Sequence, residues 1–226
     1  MKKNRLFLLI AILLVGYPLF AQFGAQAGVA FSSAKEKYEG ISMDFSTKTM
    51  FTGGLFYRKD FGGKFAFQPE INYLPKGGSY NETVQVEEGG EVDMEAEMSL
   101  NYLEIPLYVL YNGGKSSGFY AGLGPSFNFG LSGKVKASVP GESFEEDIEF
   151  GDDGDLKGFH MGINGIVGYQ MQNGLTFNGF ISQSITNSEL EKEGDAKFSM
   201  FTFGIRAGYL FNVKNENAQS KLKTVF

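Results

Sequence analysis

The stretch LNYLEIPLYVLYNGG, residues 100–114, decides the fold. It has the apolar, β-forming composition of a buried strand and ends in a glycine turn. Yet Glu104 stands at its centre, with Pro106 two residues on. A carboxylate inside an apolar strand is costly unless it is paired, and proline removes a ladder donor. Parity resolves the conflict. Odd positions Leu103, Ile105, Leu107, Val109 and Tyr111 form one apolar face, while Tyr102, Glu104, Pro106 and Tyr108 form the other. Lipid on the first side and a narrow polar interior on the second accommodate both residues. Pro106 in a closed wall predicts a local bulge, and Glu104 is expected to stay ionised through Arg58 or Arg206.

The same two-faced pattern recurs along the chain. Eight segments carry it, at about 23–32, 49–61, 65–77, 98–112, 118–131, 157–171, 175–187 and 197–211. In the last, Phe201, Phe203, Ile205, Ala207, Tyr209 and Phe211 alternate with Thr202, Gly204, Arg206 and Gly208. In the third, Phe67, Ile71 and Tyr73 alternate with Gln68, Glu70 and Asn72. Alternation alone also fits a soluble sandwich. Three features favour a barrel in lipid. The apolar face is almost purely Phe, Leu, Ile, Val, Tyr and Ala. The polar face is rich in Gly, Ser, Asn and Gln, not in the Lys, Glu and Thr of a solvated sheet. Short turns at 62–64, 113–117 and 172–174 alternate with long links at 33–48, 78–97, 132–156 and 188–196. Lipid offers no partner to an unpaired backbone group, so strands that cross it must close on themselves. The reading is all-β: an eight-stranded antiparallel transmembrane (outer-membrane) β-barrel with short periplasmic turns and long extracellular loops. Outward Tyr57, Phe61, Phe65, Tyr111, Phe119, Tyr169, Tyr209 and Phe211 then gather at the short-turn rim and form an aromatic girdle.

The ends set the compartment. Lys2, Lys3 and Arg5 precede an apolar run from Leu6 to Val15, then Gly16, Pro18 and small Ala21. This is the layout of a secretory signal peptide over residues 1–21, which implies export to the outer membrane. The barrel then occupies 22–211, and 212–226 form a flexible periplasmic tail. Removing 1–21 takes three cations and no acid from a chain whose formal charge is already −6. So acidic a chain lacks the basic footprint of a nucleic-acid binder. Cysteine is absent, which excludes disulfides, thiolate metal sites and thiol nucleophiles.

With eight strands the interior has room only for side chains. The inward set includes Arg58, Glu70, Glu104, His160 and Arg206, with Gln26, Gln68, Asn72, Tyr102, Asn128 and Asn164. Acids and arginines enclosed together should pair and form a structural ion-pair plug. A gated pore or proton path through the same residues is the competing reading. No serine can be placed beside His160, the only histidine, so an enzymatic reading is weak. No catalytic, cofactor or metal site is expected. The loops are acidic: Glu82, Glu87, Glu88, Glu91, Asp93, Glu95 and Glu97 lie in 78–97, and Asp152, Asp153 and Asp155 end the third link. Such clusters can gather divalent cations that bridge lipopolysaccharide, but DDGD lacks full calcium-loop spacing.

Specific phrases carry a family resemblance. FAFQPEINYLPKGGSY (65–80), NYLEIPLYVLY (101–111), FYAGLGPSFNFGLSGK (119–134) and DLKGFHMGINGIVGYQM (155–171) resemble the PorT-like outer-membrane β-barrel domain family of Bacteroidetes. The signal segment ending in Ala-Gln also resembles those of exported Bacteroidetes proteins. The family resemblance implies an eight-stranded outer-membrane barrel, with links in its founding members to protein secretion and gliding. It supplies no catalytic residues, and it places Glu70 and Glu104 at recurrent acidic positions. FGIRAGYLF resembles the terminal signal read by the outer-membrane insertion machinery, ending at Phe211, although the chain continues to Phe226. Expected partners are outer-membrane lipid and lipopolysaccharide, that machinery, and a periplasmic or secretion-system protein.

Overall fold

The computed structural model describes residues 21–211 apart from 39–40, 45, 62, 86–90, 115–116, 140–141, 152–153 and 187–196. Residues 1–20 of the expected signal segment, the tail 212–226, and Asp152 and Asp153 lie outside the described residues. So does the whole of the link 188–196. The side chains of Glu82, Glu87, Glu88, Glu91 and Asp93 lie outside them too.

Ten strands occur among the described residues. They are β1 (Ala21–Tyr38), β2 (Ile41–Asp44), β3 (Lys48–Asp60), β4 (Phe65–Gln85), β5 (Glu91–Asn112), β6 (Gly118–Val139), β7 (Glu142–Ile148), β8 (Phe159–Gln170), β9 (Leu175–Ser184) and β10 (Lys197–Leu210). Eight of them form a ring in the order β10-β9-β8-β6-β5-β4-β3-β1, closed by β1 against β10. Every pairing in it is antiparallel. β2 and β7 stand off the ring, on β1 and β6.

The long links require a correction. Three of the four expected loops contain paired strand. β4 and β5 stay in register out to Gln85↔Glu91, β6 and β7 from Gly133↔Ile148 to Val139↔Glu142, and β1 runs to Tyr38. Alternation persists here, with Val92, Met94, Ala96 and Met98 against Glu91, Asp93, Glu95 and Glu97, and Val135 and Ala137 against Lys134 and Lys136, but its polar row is charged and reads as solvated link. Backbone pairing needs no lipid-facing row, and the hairpins continue past the end of the membrane signal. Strands β4, β5, β6 and β7 thus form a sheet that projects beyond the ring.

Proline is the second correction. Pro106 sits in an unbroken register, with Pro106↔Ser126 on one side and Glu104↔Asn72 on the other. The ladders instead skip two rungs beside each of three prolines, Pro69, Pro106 and Pro125, while Pro75 stays in a continuous ladder. β3–β4 passes from Phe56↔Glu70 to Lys59↔Phe67 beside Pro69. β4–β5 passes from Asn72↔Glu104 to Pro69↔Leu107 beside Pro106. β5–β6 passes from Pro106↔Ser126 to Val109↔Leu123 beside Pro125. A missing N–H deletes one bond, which is cheaper than displacing both neighbouring strands. The register shift in β5–β6 falls elsewhere. Tyr102 pairs with Gly130 and Asn101 with Ser132, so Leu131 is the extra residue of a bulge.

Aromatic pairs ring the outer wall at two levels. Near the short turns, Phe23 meets Tyr57 at 5.0 Å, Phe65 meets Tyr111 at 5.7 Å and Phe119 meets Tyr169 at 4.9 Å between centroids. Toward the other end, Phe31 meets Phe203 at 5.2 Å and Phe129 meets Phe159 at 5.3 Å. Between them the wall exposes Leu55, Ile71, Val109, Leu123, Ile163, Val167, Ile181 and Ile205. Eight residues separate Phe203 from Phe211 along β10, roughly 27 Å of strand. Tilted as in barrels, that matches a hydrocarbon band. At a short turn, Gly174 takes φ +93°, a conformation that disfavours side chains.

Candidate functional site

The interior is built in levels by the inward parity of each strand. Nearest the short turns, the Arg58 guanidinium lies 4.5 Å over the Tyr120 ring. Its Nε donates to Gln68 Oε1 at 2.6 Å and its Nη1 to Gln170 Oε1. Tyr120 fits because β8 places Gly168 opposite it; a Cβ there would stand 2.5 Å from the Tyr120 ring. Ala66, Tyr108, Leu110 and Ile166 pack around this level.

Glu70 forms the first hub. Its Oε2 accepts from Gln26 Nε2 at 2.8 Å, Asn72 Nδ2 at 2.8 Å and Arg206 Nη1 at 3.0 Å. Its Oε1 accepts from Gln68 Nε2 at 2.7 Å. Four donors converge on one buried carboxylate, the arrangement that offsets its desolvation. The Arg206 guanidinium also lies 3.7 Å from the Phe180 ring centre. Phe180, with Ala30 and Leu74, forms an apolar layer above the hub.

Glu104 forms the second hub, and its partner corrects the sequence expectation. The cation is Lys76, whose Nζ lies 3.5 Å from Glu104 Oε1, both side chains being buried. Ser182 Oγ donates to the same oxygen at 2.6 Å, and Lys76 Nζ donates to Asn128 Oδ1 at 2.8 Å. Arg206 is committed to Glu70, and Arg58 donates to amide oxygens at the opposite end of the lumen. The signal for Lys76 was present: it continues the even parity of Gln68, Glu70 and Asn72 on β4. The segment 65–77 includes Lys76, but the inward set names only Gln68, Glu70 and Asn72 on it. Gly77 does adopt φ +150°, but its N–H donates to Ser32 Oγ at 3.2 Å and the strand continues.

His160 stands beside Asn128 on β6 and packs edge-on to Tyr102 at 4.9 Å between centroids. Asn128 accepts from Lys76 Nζ, and the same Lys76 Nζ lies 5.6 Å from the Tyr102 ring centre, so His160 borders the Glu104 hub. Tyr102 belongs to the apolar cluster closing this end, with Ala34, Leu100 and Met200. Phe150 and Ile148 pack on that cluster from the segment after β6. Asp155, expected among the cation-gathering acids, accepts the Glu149 backbone N–H at 2.9 Å and pins this segment.

The projecting sheet is the other candidate. Its outer face carries Lys134 and Lys136 on β6 against Glu145 and Asp147 on β7, with Lys136–Glu145 at 2.9 Å and Lys134–Asp147 at 3.5 Å. Bonding from Lys134, then Lys136, holds the Glu145 carboxyl down at about 2. Glu97 of the acidic link is paired too, with Lys48 at 2.6 Å.

Similarity to known proteins follows the architecture. The description of the outer membrane protein beta-barrel domain matches residues 18–190. Among solved structures, the attachment invasion locus protein Ail of Yersinia pestis is 14% identical, over 85% of this chain and 100% of that one, with a TM-score of 0.43. The outer membrane protein OprG from Pseudomonas aeruginosa is 16% identical, over 85% and 96%, with a TM-score of 0.43. Neisserial surface protein A is 12% identical, over 84% and 97%, with a TM-score of 0.41. No curated protein matches the chain in sequence.

Proposed function

The chain belongs to the outer membrane protein beta-barrel domain family, and we propose that it serves there as a closed scaffold. Exported by its signal peptide, it sits in outer-membrane lipid and lipopolysaccharide after delivery to the insertion machinery. It holds a rigid sheet above the lipid for contact with other molecules. The observation that carries this reading is the lumen. Glu70 with four donors, Glu104 with Lys76, and the apolar layers between and above them occupy its cross-section. Structural ion pairs in so narrow a space stiffen the wall and leave little path for solute.

The PorT-like resemblance favours a second reading, an accessory role in secretion or gliding. The resembling phrases QPEINYLPKGG and NYLEIP contain Glu70, Lys76 and Glu104, the residues that fill the lumen. What such relatives would share is therefore the rigid interior, and the partner contact would lie outside it.

Planar-bilayer recording of the purified protein tests the scaffold. A silent bilayer with correctly folded, heat-modifiable protein is expected. Steady single-channel conductance would overturn the reading in favour of a narrow pore.

A further inference from the structure

We infer that the free edge of β7 is a docking edge for an extended, lysine- or arginine-bearing segment of another protein, which joins the projecting sheet as one more strand. The inference rests on the scaffold reading and names the surface and the chemistry of the partner.

β6 pairs with all of β7 on one side, from Glu142 to Ile148. On the other side no strand among the described residues pairs with it. In an antiparallel ladder every second residue turns its N–H and C=O away from its neighbour, so β7 presents a row of unused backbone groups. Exposed edges in proteins are usually blunted by charged side chains, proline, a bulge or a covering segment. ESFEEDI has no proline, its pairing with β6 runs without a register shift, and its charges are all carboxylates, which repel an acidic strand but not a basic one. The opposite edge of the projecting sheet differs. There, β4 is bridged by Ser46, which exchanges backbone bonds with Ser79 at 2.6 and 3.1 Å.

Charge selects the partner. Glu142, Glu145, Glu146 and Asp147 stand on β7 and are exposed, against Lys134 and Lys136 on β6. The two lysines engage Glu145 and Asp147 on one face, which leaves Glu142 and Glu146 flanking Phe144 on the other. Phe144 is 62% exposed and lies across from Ala137, so an added strand finds an apolar contact between two carboxylates. A second copy of this chain would set carboxylates opposite carboxylates, which is destabilising. An added basic strand gains ladder bonds and opposite charge together. The edge is already ordered, since Ile148 packs on the cluster of Leu100 and Tyr102, so little entropy is lost from this side.

The experiment uses the full protein in lipid nanodiscs and a fluorescein-labelled ten-residue peptide of alternating lysine and valine. Two further peptides carry N-methyl groups on one or the other alternate set of backbone nitrogens, and a fourth replaces lysine by glutamate. Fluorescence anisotropy should show binding of the lysine peptide and none of the glutamate peptide. One methylated peptide should lose about tenfold or more in affinity and the other change little, because only one set of N–H groups faces β7. Glu142→Gln with Glu146→Gln should weaken the parent peptide.

Absence of binding, or binding that neither methylation pattern alters, would overturn the proposal; the second result means charge adsorption alone. A Ser143→Cys variant in this cysteine-free chain that forms disulfide-linked dimers in nanodiscs would assign the edge to a second copy and overturn it too. Steady conductance would remove the scaffold reading whatever the peptide does. A silent barrel that ignores the peptide removes the docking edge alone.

Discussion

Between its aromatic belts the barrel is apolar outside and polar within; in the projecting sheet the same strands are polar outside and apolar within. On β5 the outward row changes from Val109, Leu107, Ile105 and Leu103 to Asn101, Ser99 and Glu97. The inward row changes from Tyr108, Glu104 and Tyr102 to Leu100, Met98 and Ala96. β5 keeps its phase and swaps its chemistry. β6 does the reverse. It keeps alternating polar even and apolar odd residues, and the extra residue Leu131 turns the phase over. Lys134 and Lys136 then face out, where Val135 and Ala137 would otherwise stand. Both solutions meet at the level of Asn101 and Tyr102. The surroundings dictate which face is polar, and a strand can satisfy them through residue type or through a bulge.

The largest test removes the membrane half's own logic. Lys76→Met leaves Glu104 buried without its cation and should cost about 3–5 kcal/mol. Adding Glu104→Leu to it should restore most of that loss, because an apolar pair of similar volume avoids the desolvation of both ions. Denaturant titration followed by the heat-modifiable gel shift reads both variants. Equal stability of Lys76→Met and the parent would mean that Glu104 does not depend on Lys76.

Next comes one substitution placed in each region. Leu123→Arg, on the outer wall midway between Phe119 and Phe127, should cost about 2–4 kcal/mol in lipid vesicles. Ser143→Arg, on the exposed outer face of the projecting sheet, should change stability by about 0.5 kcal/mol or less. Similar costs at the two sites would erase the distinction between lipid-facing and water-facing wall.

The smallest effect is expected from deletion of Leu131. Ser132 would then follow Gly130 directly and still face Asn101, with Lys134 still opposite Ser99, so Lys134 and Lys136 stay outward and only the extra residue is lost. Hydrogen exchange should keep its protection across 118–129 and 133–148, and the unfolding midpoint should move little. Loss of protection in 133–148 would show that the projecting sheet needs the bulge itself and not only the phase it sets.

Much of this was legible in the sequence, and for a local reason. The period-two alternation of each strand is a property of successive residues. From it came the strand segments and the inward parity of Arg58, Glu70, Glu104, His160 and Arg206, all of which are buried; the closed ring came from the composition of the two faces and the alternation of short turns with long links. The reading failed where alternation continued without lipid. The links 78–97 and 132–156 have no lipid-facing row to mark them as membrane strand, and Lys76, inside the segment 65–77, is missing from the inward set.

The tertiary structure alone decided which charge meets which. Parity assigns a residue to a face; its level in the barrel depends on the stagger of each strand against the next, summed around the ring. That sum puts Arg206 beside Glu70, 136 residues away in the chain, and leaves Lys76 for Glu104. It likewise decided that Leu131, and none of Pro69, Pro75, Pro106 and Pro125, displaces a ladder. A missing donor is tolerated within a fixed register, whereas an extra residue must be expelled from it. Faces are written residue by residue, and levels exist only once the ring has closed.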